Sequence, residues 1–180
     1  MAALARALNA LALAGVCGVL LFAFYWQIVR GELPCPLCLL QRAALLGAGL
    51  GLALNVRFGA SESHYGVVIV SSLAGAAFAV RQILLHIVPD TGAYGSALLG
   101  YHLYTWALVA FVVLIAFAGV MLFIEAQFVE GVHALRPTAG AQALGWLFVL
   151  VVLANAVSTL LECGFGPCPD NPTGYELLQK

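Results

Sequence analysis

Four of the five cysteines stand in two closely spaced pairs, and such pairs can form and exchange disulfide bonds. Cys35 and Cys38 have the Cys-X-X-Cys spacing, and Cys163 and Cys168 enclose four residues. A Cys-X-X-Cys motif serves thiol–disulfide exchange, zinc binding or haem attachment. Because no His follows Cys38, haem attachment is not expected. The remaining cysteine, Cys17, lies within an apolar run and is expected to be a small buried hydrophobic residue.

The two pairs leave several chemistries open. A disulfide across two intervening residues closes a small, often strained ring, so Cys35 and Cys38 are candidate catalytic residues. Cys163 and Cys168 form either a second catalytic pair or a structural disulfide of the tail. All four cysteines together can also supply the four ligands of a tetrahedral zinc site.

Arg42 follows Cys38 by four residues, so on a helix both side chains lie on one face, one turn apart. A charged residue at the edge of an apolar span is costly and suggests a function. A guanidinium and a helix N-terminus both stabilise a thiolate, and a cation also stabilises negative charge on a bound oxygen. The alternative is that Arg42 extends to the headgroups. Arg81 and His86 either line the same pocket or anchor the third apolar run at the interface.

The amino-acid composition indicates whether water or membrane lipid surrounds the chain. Hydrophobic residues make up 63% of the chain and charged residues 8%, whereas a soluble domain carries about 25% charged residues. So few charges cannot cover a globular surface, and membrane lipid is the alternative surrounding. The net charge of −1 offers no basic surface, so nucleic acid is not an expected partner. Residues 1–180 are expected to form a single transmembrane domain.

Five apolar runs are long enough to cross a bilayer as helices rising about 1.5 Å per residue. Helices are expected because backbone groups in lipid must be paired within the segment. The predicted fold class is therefore an all-α integral membrane bundle of about five transmembrane helices. The first run is too long for the apolar part of a secretory signal, so it is interpreted as a span. The expected spans are about 8–29, 38–56, 66–88, 103–124 and 141–161, followed by a tail over 162–180.

The number of spans decides whether the two cysteine pairs can meet. Four predicted spans separate the pairs, so both face the same side of the membrane. Disulfides persist in the periplasm and are rare in the cytosol, which puts that side outside and the N-terminus in the cytosol. The positive charges agree weakly with this orientation. On the inner side it places Arg6, Arg57 and Arg136, and on the outer side Arg30 and Lys180.

The run from Cys35 to Arg42, CPLCLLQR, resembles the Cys-X-X-Cys-X-X-X-Arg signature of the DsbB family of disulfide-forming membrane proteins. The order of the first four apolar runs is similar too, which suggests a four-helix DsbB-like core plus one helix. The resemblance implies an enzyme of the bacterial inner membrane with a quinone cofactor, ubiquinone or menaquinone, from the membrane pool. It implies as partner a periplasmic thioredoxin-like oxidase similar to DsbA. It also implies that Cys38 is the thiolate beside the quinone and that Arg42 helps to bind it.

The chain departs from the family pattern in the position of the second pair. Better-known members have four spans and carry that pair between spans three and four, but here the loop 89–102 contains no cysteine. Cys163 and Cys168 are the nearest substitute, which the added fifth span keeps on the same side as the first pair. Electrons are then expected to pass from the partner to the tail pair, to the first pair and to quinone. Gln41 stands where some relatives have an acid.

Two other functions are compatible with the sequence. The vitamin K epoxide reductase family also sets a Cys-X-X-Cys against a quinone in a helix bundle. There the loop cysteines precede the motif, whereas here they follow it. The other alternative is a non-catalytic membrane scaffold or small transporter with structural disulfides, although such a protein does not need Arg42 beside a Cys-X-X-Cys.

Overall fold

The computed structural model describes residues 2–88, 92–124, 128 and 138–179. Five α-helices dominate this part of the chain, and each is long and apolar enough to cross a membrane. They are α1 (Ala2–Val29), α2 (Pro36–Phe58), α3 (Glu62–Leu85), α4 (Leu103–Leu122) and α5 (Ala139–Cys163). There is also an antiparallel strand pair, β1 (Ala97–Leu98) with β2 (Tyr101–His102), and a 3-10 helix at Glu176–Leu178. The predicted all-α membrane bundle with five spans is confirmed, and the strand pair is an addition to it.

Four helices begin earlier than predicted, and α5 is one of them because it starts at Ala139, directly after its N-cap residue Thr138. Helix α1 starts at Ala2 because residues 2–8 are mainly Ala, Leu and Arg, which favour helix even where hydropathy is moderate. Helix α2 starts at Pro36, since proline suits the first position of a helix. Helix α3 starts at Glu62, an acid that is favourable in the first turn because of the helix dipole.

Helix α2 lies at the centre and contacts each of the other four helices. Small residues let its neighbours approach closely, as is usual between membrane helices. A methyl group on Gly51 would meet the backbone of His64 and the side chain of Val68 on α3. On the other side of α3, a methyl group on Gly75 would overlap the ring of Phe111 on α4. The order of packing is therefore α1–α2–α3–α4, with α5 against α1 and α2.

Three buried polar residues within the bundle hydrogen-bond to one another. Between α1, α2 and α3, the Asn9 amide donates to the Tyr65 hydroxyl at 2.7 Å, and the Asn55 amide donates to Asn9 Oδ1 at 3.0 Å. The outward faces carry exposed aliphatic side chains such as Leu11, Val70 and Leu150, which suits contact with lipid. Arg136 and Lys180, used above to orient the chain, lie outside the described residues.

Candidate redox site

Cys35 and Cys38 are joined by a disulfide at the N-terminus of α2, with their Cα atoms 4.9 Å apart. Cys35 is the N-cap residue, and its Sγ accepts a hydrogen bond from the Cys38 backbone N–H at 3.1 Å. Pro36 at the first position has no N–H that would need a partner. The first pair therefore lies where free N–H groups and the helix dipole favour negative charge on sulfur.

Gln82 on α3 is directed at this disulfide, a contact that the sequence did not reveal. Its Nε2 lies 3.2 Å from Cys35 Sγ and 3.5 Å from Cys38 Sγ. Gln41, one turn into α2, donates from its Nε2 to Gln82 Oε1 at 2.7 Å. Both glutamines are buried, so the two amides and the two sulfurs form one small polar cluster inside the bundle. A signal was available, since a buried amide within an apolar span is uncommon and often functional.

Arg42 turns towards α1 and the adjoining cavity. Its Nη1 donates to Gln27 Oε1 at 2.6 Å, and its Nη2 donates to the Ala23 carbonyl at 3.1 Å. The guanidinium also lies over the Phe24 ring, 5.3 Å from its centroid. These contacts on α1 hold the cation within the protein, one turn below Cys38, in preference to an extended position among the headgroups.

Gln27 connects Arg42 to the last helix and the tail. Its Nε2 donates to Ser158 Oγ at 2.8 Å and to the Tyr175 hydroxyl at 3.0 Å. Glu162, one turn after Ser158, is 1% exposed and interacts electrostatically with Arg42. Its Oε2 accepts no hydrogen bond from the described part of the chain. Helix α5 thus brings a carboxylate close to the cation beside the first pair.

The second disulfide joins Cys163, the last residue of α5, to Cys168, with Cα atoms 4.4 Å apart. The chain can turn directly after the helix because Gly164 has a φ of 62°, which favours glycine. Cys163 is buried, whereas Phe165 within the ring is 94% exposed. Since Tyr175 of the same tail bonds Gln27 beside Arg42, both disulfides lie at the same end of the bundle.

A cavity of about 570 Å³ lies beside Cys38 and Arg42, between α1, α4 and the start of α2. The polar residues that line it include Gln41 and Tyr94, and the aromatic side chain of Trp26 lines it as well. A second groove of about 350 Å³ has a wholly apolar lining and continues along α1 and α4. The residues that line both spaces are Gly15, Val19, Leu45 and Ala110. Cys38 therefore borders a cavity with polar groups beside it and an apolar groove next to it.

The loop before β1 is held by hydrogen bonds at the end of this cavity that Glu32 and Leu33 line. The Tyr94 hydroxyl donates to the Leu33 carbonyl at 2.7 Å, and the Ser96 backbone N–H donates to Glu32 Oε2 at 2.9 Å. The Trp26 indole N–H donates to Ser96 Oγ at 2.8 Å. Burial, with the nearby carboxylates of Glu162 and Glu32, raises the pKa of Tyr94, so the phenol stays neutral and able to donate.

Arg81 and His86 do not line the cavity, whose lining comes from other described residues. Arg81 is exposed on α3, because the next residue, Gln82, occupies the inward face. The His86 ring bonds the Gly92 carbonyl at 2.9 Å and stacks on Tyr104, 5.8 Å between centroids. These placements favour the alternative of interfacial anchors, and a role in quinone binding stays a prediction.

Cys17 is buried in the core of α1, and its thiol is free. The other four cysteines form two separate disulfides, and the described residues contain no cluster of three or more His, Cys, Asp or Glu side chains. This arrangement gives the alternative of a four-cysteine zinc site no support.

The amino-terminal half of the chain matches a known family. The family model described as "Disulfide bond formation protein DsbB" matches residues 5–94, which include the first pair, Arg42 and Gln82. The match ends before α4 and α5, so it does not include the second pair.

Individual proteins with similar sequences carry the same description. Disulfide bond formation protein B 1 of Pseudomonas fluorescens is 40% identical over 72 residues, covering 38% of this chain and 42% of that protein. Disulfide bond formation protein B of Hahella chejuensis is 42% identical over 83 residues, covering 44% of this chain and 48% of that protein. Disulfide bond formation protein B of Marinobacter nauticus is 44% identical over 76 residues, covering 40% of this chain and 45% of that protein. The chain spans about half the length of the curated relatives it matches. No solved structure matches the chain.

The region of similarity is therefore the region that builds the first disulfide, from α1 through α3 and into the loop that follows. It contains the Cys-X-X-Cys at the start of α2 and the arginine one turn below it. Because the family model covers 5–94, half of the 180 residues, the chain belongs to the DsbB family of disulfide bond formation proteins.

Proposed function

We propose that this protein is a membrane oxidoreductase that forms disulfide bonds by passing electrons from a protein dithiol to a membrane quinone. The dithiol belongs to a periplasmic thioredoxin-like protein similar to DsbA. The observation that carries the proposal is that Cys38 and Arg42 line one cavity within a membrane bundle. Family membership supports the chemistry of disulfide formation.

The cavity fits a quinone in size and in the distribution of its polar groups. Its volume of about 570 Å³ lies within the range of small-molecule sites. The Arg42 guanidinium and the Gln41 amide offer hydrogen-bond donors at the end beside Cys38, where a quinone carbonyl would lie. The adjoining apolar groove suits an isoprenoid tail. When bound, the quinone supplies a two-electron acceptor within reach of the first pair.

The chain's own residues account for the thiol exchange. A thiolate of the partner attacks the Cys163–Cys168 disulfide, and the partner leaves oxidised once its second thiolate resolves the mixed disulfide. A thiolate of the reduced tail pair then attacks Cys35, and the bond to Cys38 breaks with its electron pair on the Cys38 sulfur. The second tail thiolate resolves the mixed disulfide, which restores Cys163–Cys168 and leaves both Cys35 and Cys38 reduced. The helix N-terminus and the Arg42 cation stabilise the leaving Cys38 thiolate. Arg42 also stabilises negative charge that develops on an oxygen in the cavity.

The proposal also includes an orientation in the bacterial inner membrane, with the N-terminus in the cytosol and both cysteine pairs facing the periplasm. It is supported by the five spans and by the position of both disulfides at one end of the bundle. A membrane-impermeant thiol reagent applied to intact spheroplasts after mild reduction should label Cys168. Labelling that requires lysis of the spheroplasts would contradict this orientation.

A reconstituted assay tests the function as a whole. Purified protein in lipid nanodiscs with a quinone should oxidise a thioredoxin-like dithiol, and Cys38→Ser should abolish this activity. Cys163→Ser with Cys168→Ser should remove oxidation of the protein dithiol but preserve that of small dithiols, which reach the first pair directly. A Cys38→Ser variant as active as the unaltered protein would refute the relay. If replacement of both tail cysteines left oxidation of the protein dithiol unchanged, the second disulfide would have a structural role only.

A further inference from the structure

Gln82 on α3 contacts the first disulfide from outside α2. Its amide nitrogen is within hydrogen-bond distance of both Cys35 Sγ, at 3.2 Å, and Cys38 Sγ, at 3.5 Å. The residue is 1% exposed, so water does not compete for this donor. A disulfide sulfur is a weak acceptor, whereas a thiolate is a strong one. The contact should therefore strengthen when the disulfide opens.

Gln41 fixes which end of the Gln82 amide faces the sulfurs. Gln41 Nε2 donates to Gln82 Oε1 at 2.7 Å, and Gln41 is itself 5% exposed. An amide oxygen occupied in this way leaves the nitrogen, with its two N–H groups, directed at Cys35 and Cys38. An ionised acid at position 41 has acceptors only, so it would bond the Gln82 nitrogen instead. Glutamine at position 41, in place of an acid, therefore lets the Gln82 N–H groups face the two sulfurs.

We propose that Gln82 is a catalytic residue of the first pair, whose N–H stabilises the sulfur released when the Cys35–Cys38 bond breaks, with Gln41 as its positioning residue. The inference rests on the proposed function for its place in the reaction. An incoming thiolate forms a new bond to Cys35 Sγ as the bond to Cys38 Sγ breaks. The electron pair of the broken bond stays on Cys38, which lies in the first turn of α2 with its Sγ 3.5 Å from Gln82 Nε2. No proton is transferred in this step.

The contribution of Gln82 differs in kind from that of Arg42. Gln82 touches the reacting sulfurs and is neutral, so it favours the thiolate without adding a buried charge that would need its own counter-ion. Arg42 makes its described hydrogen bonds to α1, at Gln27 and Ala23. Removing Gln82 should therefore alter the chemistry of the cysteine itself, before any quinone is present.

The test is the pH dependence of Cys38 alkylation in the reduced full-length protein. Cys17, Cys163 and Cys168 are replaced by Ala, and iodoacetamide modification of Cys38 is followed by mass spectrometry. Gln82→Leu should raise the pH of half-maximal rate by about one unit and slow alkylation near neutral pH about tenfold, because a hydrogen bond to a charged group is lost. Gln41→Glu, which preserves the shape of the side chain, should shift the profile in the same direction.

The matched control is Asn155→Leu, which removes a buried amide whose described bond is to Val151 of its own helix. Its alkylation profile should superimpose on that of the parent. If Gln82→Leu does not fold, Gln41→Glu decides the matter. A profile unchanged in a folded Gln82→Leu, or in Gln41→Glu, would overturn the proposal. Because alkylation needs neither quinone nor partner, this result is independent of whether the quinone relay itself holds.

Discussion

The side chain of Arg42 is held by Gln27, whose Oε1 accepts a hydrogen bond from Nη1 at 2.6 Å. This bond joins the start of α2 to the end of α1 at the edge of the cavity beside Cys38. Gln27 is buried and also bonds Ser158 and Tyr175, so its amide is fixed from two further directions. The cation that we assign to the quinone therefore depends on α5 and the tail, which lie outside the region matched by the family.

Removing this support should weaken quinone binding. Gln27→Leu frees the Arg42 guanidinium, and Arg42→Ala removes it, so both should raise the apparent KM for quinone, about tenfold for the loss of a charged hydrogen bond. The maximal rate should change less than the KM. Steady-state quinone titrations measure this, with Tyr25→Leu on the exposed face of α1 as the control. A quinone dependence that Arg42→Ala leaves unaltered would reduce Arg42 to a membrane anchor.

Cys17 should be dispensable for electron transfer. Its side chain is 1% exposed among the core residues of α1, and it is the free cysteine of the described chain. Cys17→Ala should retain full oxidation of a dithiol. Cys17→Ser should lower the free energy of unfolding by about 1–3 kcal/mol, because it buries a hydroxyl in an apolar site. Dithiol oxidation and thermal unfolding in detergent provide the comparison, and an inactive but folded Cys17→Ala would show that the thiol takes part.

Two glycines of α3 should respond in opposite ways to an added methyl group. Gly75→Ala should destabilise the bundle by about 1–3 kcal/mol, since its methyl would overlap the Phe111 ring and force α4 away. Gly66→Ala on the same helix meets open space, and it should stabilise the protein by about 0.5–1 kcal/mol through helix propensity. Thermal unfolding of both variants measures the difference. Equal stability of the two would argue against the close packing of α3 on α4.

Tyr94 should make the loop over the cavity sensitive to alkaline pH. Its pKa is raised by burial and by the nearby carboxylates of Glu162 and Glu32, and its neutral hydroxyl donates to the Leu33 carbonyl. The stabilisation is therefore fully present below the pKa of the unfolded tyrosine, about 10, and is lost as pH rises through the higher folded value.

Tyr94→Phe tests this pH dependence. At neutral pH the free energy of unfolding of the variant should be about 1 kcal/mol lower, because one hydrogen bond is lost. The variant should not lose further stability at alkaline pH through ionisation of this side chain. Unfolding midpoints between neutral pH and pH values above about 10 separate the two effects. Parallel curves for the variant and the unaltered protein would mean that the Tyr94 phenol does not contribute to this pH dependence.

The sequence predicts the spans well but does not predict which face of each span points inward. Lipid requires about 20 consecutive apolar residues, so the five helices are visible in hydropathy alone. Because every face of such a helix is apolar, periodicity does not locate the inner face. For this reason the sequence alone allows Arg81 to line the pocket, whereas the structure directs its neighbour Gln82 inward.

The positions of the cysteines and Arg42 followed from spacing, because four residues make one helical turn. The roles of Gln27 and Glu162 could not be predicted from spacing. The contacts of Gln27 with Ser158 and of Glu162 with Arg42 join residues more than a hundred positions apart, so they depend on how α5 packs. The polar residues inside the spans were nevertheless a usable signal. Gln27, Gln82 and Glu162 are all buried and all lie at the end of the bundle that carries the disulfides.

The most direct test of the central claim is a single turnover between the first pair and a quinone. The Cys163→Ala and Cys168→Ala protein, reduced and freed of reductant, is mixed in nanodiscs with short-chain benzoquinone or naphthoquinone. Quinol is measured by absorbance, and the state of each cysteine is determined by mass spectrometry. We predict one quinol for each Cys35–Cys38 disulfide formed, and none with Cys38→Ser. Thiols that stay reduced with both quinones, in protein that remains folded, would contradict the account.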